Sequence, residues 1–428
     1  MSKMDYAQIT ALIQREVIPA MGCTEPAAVA LCVAKATETL GELPQRVEVM
    51  LSANVLKNAL GVGIPGTCMI GLPIAIALGA LIGKSERQLE VLCDCTPEST
   101  ARGQQFINEG RIDIQQKNTD HKLYIEATCV GQNGHRATAI IAGEHTNFVH
   151  IERDGQTLLH QEYTCSNTHN DSAPSLTLQA VYDYATTVPL DDIRFILATK
   201  QLNKAAAEHS FSNSCGHNLG YLLNHGAGDL MLGQTTFNRM VAYTAGACDA
   251  RMAGAQIPVM SNSGSGNQGI TATLPVVIYA EDNHNSEEEL IRALALSHLT
   301  VIYIKQNLGR LSALCGCVVA STGSSCGITY LMGGKYAQIA SAVQNMIANI
   351  TGMICDGAKP SCALKVATGT STAVLSAILA MNGKHVCGLE GIIDNDVDKS
   401  IRNMSRIGSE SMLETDRLIL QIMTNKQE

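Results

Sequence analysis

The spacing of the apolar residues changes near residue 170, and no other feature of the 428-residue chain constrains its fold as strongly. From Arg46 to His160, apolar and polar residues mostly alternate, which is the period of a β-strand with one buried face. After a polar stretch at 164–175 that resembles a linker, apolar residues recur at helical spacing. We therefore predict the α+β class, with a mixed domain at 1–170 that contains a largely antiparallel sheet, followed by a mostly α-helical domain at 171–428.

Several segments predict individual elements. Asp154 and Gly155 lie between two alternating runs and predict the turn of a β-hairpin. Ser286, followed by three glutamates, predicts the N-terminal cap of a long helix, because acids in the first turn complement the helix dipole. The apolar stripe in KYAQIASAVQNMIANITGMIC predicts a second long helix, which Cys355 closes.

Charge and composition exclude nucleic acid as a partner. The chain has 30 basic and 39 acidic residues, a formal charge of -9, and no Lys/Arg run of the kind that tracks a phosphate backbone. Aromatic residues make up only 4% of the chain, so few side chains can stack on nucleic-acid bases. The N-terminal segment carries Asp5, Arg15 and Glu16 within its apolar pattern, which indicates an amphipathic helix of a cytoplasmic protein rather than a signal peptide.

Three uncharged runs raise the question of membrane spans. They cover 58–83, 311–334 and 366–383, and all three are diluted by Gly, Ser, Thr, Asn or Pro. No aromatic belt flanks them, which is weak support for a membrane-spanning helix. We interpret them as buried helices and expect no membrane partner.

The cysteines are the strongest chemical signal. Their number, fifteen, is odd, and cytosolic thiols are normally kept reduced, so metal ligation or catalysis explains some of them better than disulfides. Cys355 and Cys362 flank a Gly- and Pro-containing turn, and some 40 residues earlier the segment LCGCVVASTGSSCG carries Cys315, Cys317 and Cys326. This spacing matches neither zinc ribbons nor ferredoxins, and a set of buried core thiols is the alternative.

Two glycine-rich segments match Gly-x-Gly-x-x-Gly, at 61–66 and 264–269. Neither lies in the repeating βαβ context that a dinucleotide site requires. The second segment, SNSGSGNQGI, is dense in small hydrogen-bond donors, including Ser263, Ser265 and Asn267. We interpret it as a carboxylate-binding loop, with a plain glycine-rich turn as the alternative.

Cys23 precedes a predicted helix in the segment GCTEPAAVALCVAKA. A thiol at a helix N-terminus has a lowered pKa, which suits a base, a nucleophile or a ligand. The alternative is a small buried residue, since free cysteine is among the most buried residue types.

Together these motifs resemble the L-cysteine desulfidase family, single-chain relatives of the iron–sulfur-dependent L-serine dehydratases. The resemblance rests on GCTEPAAVAL, CGCVVA and GMICDGAKPSCALK, and extends to LSANVLKNALGVGIPGT, SGSGNQGI and RIGSESMLETDRLILQIM. It implies a 4Fe-4S cluster held by three cysteines with one iron open. Cys355 and Cys362 match two ligands, and Cys317 matches the third, with Cys315 as its alternate.

The resemblance also assigns the remaining site residues. Cys23 matches the family's base or substrate-side group, and the loop at 263–269 would hold the substrate carboxylate. Asn54, Lys57 and Asn58 would lie near the pocket. The mixed domain resembles the beta-type domain of serine dehydratases, and we expect a homo-oligomer that acts on a small amino acid.

The implied reaction is β-elimination from L-cysteine to pyruvate, ammonia and sulfide. The alternatives are L-serine dehydration by the same mechanism, a non-catalytic zinc-binding structural protein, and a nicotinamide oxidoreductase, which would need a parallel sheet at the first glycine-rich segment. Pyridoxal phosphate would need a Schiff-base lysine and a phosphate cup, and the chain shows no convincing pair, although Lys57 stays open.

Overall fold

A six-stranded sheet precedes a bundle of helices, which confirms the predicted α+β class. This computed structural model describes residues 6–119, 121–162, 174–225, 227–309 and 312–425, so the stretch interpreted as a linker lies almost wholly outside them. The strands are β1 (Pro19–Ala20), β2 (Arg46–Leu51), β3 (Gly63–Ile64), β4 (Met69–Ile70), β5 (Ile112–Gln116), β6 (Tyr124–Val130), β7 (Arg136–Ala142), β8 (Phe148–Arg153), β9 (Gln156–His160) and β10 (Val259–Met260).

The helices fall mostly in the second half of the chain. Short 3₁₀ turns lie at 85–90 and 194–196, and a π turn lies at 407–411. The α-helices are α1 (Tyr6–Glu16), α2 (Thr24–Leu40), α3 (Ala53–Ala59), α4 (Leu72–Ile82), α5 (Pro97–Asn108), α6 (Leu178–Thr187), α7 (Leu190–Ile193), α8 (Leu197–Ser212), α9 (Leu219–Asn224), α10 (Ala227–Leu232), α11 (Thr236–Met252), α12 (Gly266–Asp282), α13 (Glu287–Leu308), α14 (Gly316–Leu331), α15 (Tyr336–Ile350), α16 (Cys362–Met381), α17 (Val397–Arg406) and α18 (Leu413–Thr424).

The sheet has the order β5-β2-β6-β7-β8-β9, and β2–β5 is its single parallel pair. The alternating residues of β6 behave as predicted, because Ile125, Ala127 and Cys129 are all buried. Asp154 and Gly155 form the turn between β8 and β9 with positive φ angles of 49° and 82°. These angles belong to the hairpin turn that the sequence predicted.

Helix α2 lies on the buried face of the sheet, and α4 packs against α2. The two helices are in close contact at Gly79, where a Cβ atom would lie 2.6 Å from the carbonyl oxygen of Ala30. Glycine there lets the backbones touch, and the sheet and these helices form the first hydrophobic core.

The second core is formed by the helices that follow, with α13 and α14 packed along each other. Ser286 caps α13 as predicted, since its hydroxyl accepts a hydrogen bond from the Glu289 amide and the Glu289 carboxylate accepts one from the Ser286 amide. Within the described residues, α16 is the one helix long and apolar enough to cross a membrane by length and composition, and half of its apolar window is buried.

The prediction that Cys355 closes a long helix is wrong. Helix α15 ends at Ile350, and the backbone then turns at Gly352. The chain continues into a β-bridge in which Ile354 pairs with Leu314. Glycine is a poor helix former, and the bridge gives the backbone after it a different set of hydrogen-bond partners.

The two cores are joined by close backbone contacts. Strands β1 and β10 pair across the junction, and α1 packs with the helical core although it precedes the sheet in the chain. A Cβ atom on Gly63 would lie 2.4 Å from the carbonyl carbon of Ala253. The junction therefore depends on the absence of a side chain at Gly63.

Substituting Gly63→Ala is expected to destabilise the protein by about 1–3 kcal/mol, the usual cost of overpacking, because backbone atoms cannot move aside. Urea denaturation would measure the loss. Gly352→Ala is the matched control, since nothing lies within 4 Å of the added Cβ atom there. Equal stability of the two variants would contradict the tight junction.

Candidate active site

A β-bridge brings together the two cysteine-containing segments of the helical half. The Cys315 amide donates to the Met353 carbonyl oxygen at 2.9 Å, and the Cys355 amide donates to the Ala313 carbonyl oxygen at 2.6 Å. Leu314 and Ile354 form the paired positions between them. Because neighbouring side chains of an extended strand point to opposite faces, the Cys315 and Cys355 thiols lie on the same face of the bridge.

The turn from Asp356 to Pro360 carries the chain from the bridge to α16. Gly357 has a φ of 91°, and a Cβ atom on it would lie 2.2 Å from the Lys57 carbonyl oxygen, so only glycine fits. Cys362 is the first residue of α16, and the Ser361 side chain does not cap this helix. The turn therefore presses against the N-terminal half of the chain.

The Asp356 carboxylate holds two lysines close to the turn. It pairs with Lys359 at 2.7 Å and with Lys365 more closely still. Burial by itself raises the pKa of Asp356, but the two lysines outweigh it and lower the pKa to about 2. The carboxylate is therefore ionised across the physiological pH range.

Four thiols lie near one another at this place, those of Cys315, Cys317, Cys355 and Cys362. Burial, together with the neighbouring Cys355 and Cys362, raises the pKa of Cys315 to about 12. Burial also raises the pKa of Cys317 well above its ordinary value, with Cys315 and Cys362 as the next contributions. In the parts of the chain that the structure describes, no three His, Cys, Asp or Glu side chains converge tightly enough to hold one metal ion. The thiols thus form a looser group than the ligands of a single ion.

Cys317 is set apart from the other three thiols by its packing. Its sulfur donates to the Lys365 carbonyl oxygen at 3.0 Å, and a Cβ atom on Gly369 would lie 2.5 Å from it. The Cys317 side chain is therefore held between α14 and α16.

Cys23 directly precedes α2 and lies beside these four thiols. It is 5% exposed, and burial raises its pKa to about 11, opposed by the positive charge of Arg251 and reinforced by Glu25 and Cys362. The expectation of a lowered pKa is therefore wrong for this environment, since desolvation of a thiolate outweighs the helix terminus. The buried-residue alternative describes the surroundings of this thiol.

The glycine-rich loop meets Cys23 through Arg251. The guanidinium donates from one Nη atom to the Gly22 carbonyl oxygen at 3.0 Å and from the other to Asn267 Oδ1 at 3.1 Å. The Ser265 hydroxyl caps α12 by accepting from the Gln268 amide at 3.4 Å. The structure therefore brings the predicted carboxylate loop next to Cys23.

Buried side chains fix the start of this loop. Ser263 has a φ of 48°, and its hydroxyl donates to Asn262 Oδ1 at 2.8 Å. The Asn262 amide in turn donates to the Nδ1 atom of the buried His298 at 3.0 Å. Burial lowers the pKa of His298 to about 3, so the ring is neutral and can accept this bond.

The three predicted residues of α3 are all engaged with partners. Asn58 donates to Glu25 Oε1 at 3.0 Å, and Asn54 donates to Asp416 Oδ2 at 2.7 Å. Lys57 forms an ion pair with Asp416 and donates to the Cys355 carbonyl oxygen at 3.3 Å. These residues link the N-terminal half to the cysteine turn and to α18.

Sequence reasoning missed three residues of this neighbourhood. Asp416 lies in the tail that resembles the family, but nothing in the local pattern indicates its partner. Arg251 and the buried Cys248 lie on α11, and Cys248 is close enough to Cys362 and Cys317 for these thiols to raise its pKa. The sequence signal for Arg251 was that it and Asp249 are charged residues in a segment of otherwise small and apolar residues.

The Lys57–Asp416 pair gives a prediction for stability. Lys57 is 2% exposed and Asp416 is 16% exposed, so Lys57→Met leaves a largely buried carboxylate without its cation and should cost about 3–5 kcal/mol. The double variant Lys57→Met/Asp416→Leu should recover part of that loss in chemical denaturation.

The matched control lies on the same helix. Arg417 and Glu414 form an ion pair whose side chains are 71% and 80% exposed, and Arg417→Ala should cost less than about 1 kcal/mol. A Lys57→Met variant as stable as Arg417→Ala would show that the buried pair does not hold α18 in place.

Comparison with known proteins gives a family for this site. The family model of the serine dehydratase alpha chain matches residues 86–421. The chain is 67% identical to a UPF0597 protein of Phocaeicola vulgatus over 428 residues, which covers 100% of this chain and 99% of the relative. Identity is 64% to a UPF0597 protein of Bacteroides thetaiotaomicron (100% and 99% covered) and 46% to one of Oleidesulfovibrio alaskensis (100% of both). The chain therefore belongs to the serine dehydratase alpha chain family.

Proposed function

We propose that the chain is an iron–sulfur-dependent amino-acid lyase that converts L-cysteine into pyruvate, ammonia and sulfide by β-elimination. The observation that carries the proposal is the group of buried and half-buried thiols of Cys315, Cys317, Cys355 and Cys362 near the starts of α14 and α16, with Cys23 beside it. Membership of the serine dehydratase family supports a lyase of that type.

The donor set suits a 4Fe-4S cluster in its chemistry. Iron–sulfur clusters are held by cysteine thiolates, and a cluster spans several atoms, so its ligands stand farther apart than those of a single ion. Cys355 and Cys362 are the first two proposed ligands. Cys315 is better placed than Cys317 to be the third, because it shares a face of the bridge with Cys355 while Cys317 is packed between two helices.

Different residues of the chain would have different roles in the reaction. When bound, the cluster supplies a Lewis-acidic iron that makes the β-substituent a better leaving group. The loop at 263–269 would hold the substrate carboxylate, and Cys23 would take the Cα proton onto its sulfur. General-base assistance of this kind contributes roughly a hundredfold or more. This role requires the thiolate of Cys23; burial raises the pKa of this thiol to about 11, and the charge of Arg251 and its hydrogen bond to Cys23 favour the thiolate.

The bonds that break are Cα–H and Cβ–S, and the electron pair of the Cα–H bond forms the Cα–Cβ double bond. The product is aminoacrylate, which tautomerises to an imine. Water then hydrolyses the imine to pyruvate and ammonia, and the sulfur leaves as sulfide.

L-Serine is the alternative substrate, since the same arrangement can expel a hydroxyl group. The name of the matching family favours serine. A soft thiolate as leaving group suits an iron–sulfur centre and favours cysteine. We expect a higher kcat/KM for L-cysteine than for L-serine when pyruvate formation is measured anaerobically with both substrates. The reverse order would assign the chain as an L-serine dehydratase.

Removal of a ligand tests the proposed centre. Anaerobically purified protein should be brown and contain iron and sulfide, and Cys355→Ala should lose both the colour and at least 100-fold of the activity, on the order expected for loss of a metal centre. Cys326→Ala is the control, because this thiol is buried in the same helix as Cys317 and its pKa responds to Thr300 rather than to the other cysteines.

The Cys23→Ser variant distinguishes loss of the base from loss of the cluster. We expect this variant to keep its iron and lose most of its turnover. A colourless wild-type protein that binds zinc, or a Cys355→Ala variant with unchanged iron content and activity, would refute the proposed function.

A further inference from the structure

Arg251 is a buried cation without a carboxylate partner in the described parts of the chain. It is 6% exposed, and its two Nη atoms donate to a carbonyl oxygen and to a neutral amide. Arg251 also hydrogen-bonds the Cys23 side chain, and among the described residues its fully buried Nε atom has no acceptor. Burying an arginine is costly unless the charge is paired, so a guanidinium with only uncharged partners and a free Nε–H group indicates a place for an anion.

The free Nε atom faces the N-terminus of α12. A Cβ atom on Gly266, the first residue of that helix, would lie 2.2 Å from Arg251 Nε, so the absence of a side chain makes room for the guanidinium. Helix α12 is 17 residues long, and the amides of its first turn present positive potential. Gly264, just before the helix, is exposed and has open space around it, which leaves the loop accessible.

A buried acceptor without a donor lies in the same helical turn. Gln268 is 4% exposed, and its Oε1 atom has no hydrogen-bond partner among the residues that the structure describes. The side chain packs against Gly316, the first residue of α14, which directly follows Cys315. A donor-rich guanidinium that lies against Gly266 in the first turn of α12, and a carbonyl acceptor within that turn, match the two charged ends of an α-amino acid, carboxylate and ammonium.

We propose that Arg251 is the substrate-binding residue that recognises the α-carboxylate, with Gln268 Oε1 accepting from the α-ammonium group. This inference rests on the proposed function, in that the anion is the carboxylate of an amino-acid substrate. It also assigns the side chains of the glycine-rich loop a supporting part, since Ser265 caps α12 and Asn267 orients the guanidinium.

The test compares the binding of L-alanine and L-alaninamide to anaerobically purified protein by calorimetry. Neither compound has a β-leaving group, so binding is measured without turnover, and the amide lacks the carboxylate charge. The wild type should bind L-alanine roughly ten- to a hundredfold more tightly than the amide, the range of a charge-assisted pair. Arg251→Gln should bind both compounds with similar, weak affinity.

Two further variants keep the result interpretable. Arg251→Lys retains the charge without the forked geometry and should keep a reduced preference for the acid, which also covers the case in which Arg251→Gln does not fold. Arg239→Gln removes an arginine from the same helix, where it pairs with Asp282, and should leave the preference unchanged.

The outcomes separate this inference from the proposed function. A protein without lyase activity whose preference for L-alanine disappears in Arg251→Gln would refute the function and support the anion site. An active lyase whose preference is unchanged in Arg251→Gln and in Arg251→Lys would overturn the role of Arg251. A wild-type protein that does not prefer the acid over the amide would overturn it too.

Discussion

The β-bridge between residues 313–315 and 353–355 is the interaction on which the site depends. Two backbone hydrogen bonds join the segment before α14 to the segment that leads to α16. The first segment runs directly into α14, and the second reaches α16 through the turn at 356–360. The bridge therefore fixes the positions of Cys315 and Cys355 relative to each other. The turn that follows is fixed from the other side, where Gly357 lies against the Lys57 backbone. The N-terminal half of the chain thus becomes one wall of a site whose thiols come from the helical half.

Close backbone contacts and buried charged groups join the two halves of the chain. Gly63 and Gly266 each leave room for a neighbour that a methyl group would displace, and small residues of this kind let Cys23 and the glycine-rich loop meet at Arg251. Charged groups in such a place are stable only when they are paired or hydrogen-bonded. Lys57 satisfies this rule because it pairs with Asp416. Arg251 satisfies it only in part, since its Nε–H group has no acceptor among the described residues. Lys57 is therefore a structural cation, whereas Arg251 is suited to bind a ligand.

Local sequence was sufficient for the elements but not for the contacts between them. The alternation in β6, the turn at Asp154 and Gly155 and the cap at Ser286 are set by neighbouring residues, so a pattern within a few positions predicts them. The Cys355 helix was mispredicted because a bridge to a segment 40 positions earlier takes over the backbone. Lys57 and Asp416 are separated by 359 positions, and no local pattern specifies such a pair. The motifs shared with the family indicated the thiols, yet Arg251 belongs to no motif and became visible only through its burial.

Burial keeps the thiols of this site neutral at pH 7 unless a positively charged group lies beside them. Burial raises the pKa values of Cys23, Cys315, Cys317 and Cys362, and each neighbouring thiolate raises them further, so these residues are neutral at pH 7 without an added cation. Lys359 and Lys365 do not supply that cation fully, because the Asp356 carboxylate binds both. Several thiolates can therefore exist together here only beside a centre that carries more positive charge than the protein provides. An iron–sulfur cluster would meet this requirement, and the Nε–H group of Arg251 would then bind the substrate carboxylate while the charge of Arg251 still favours the Cys23 thiolate.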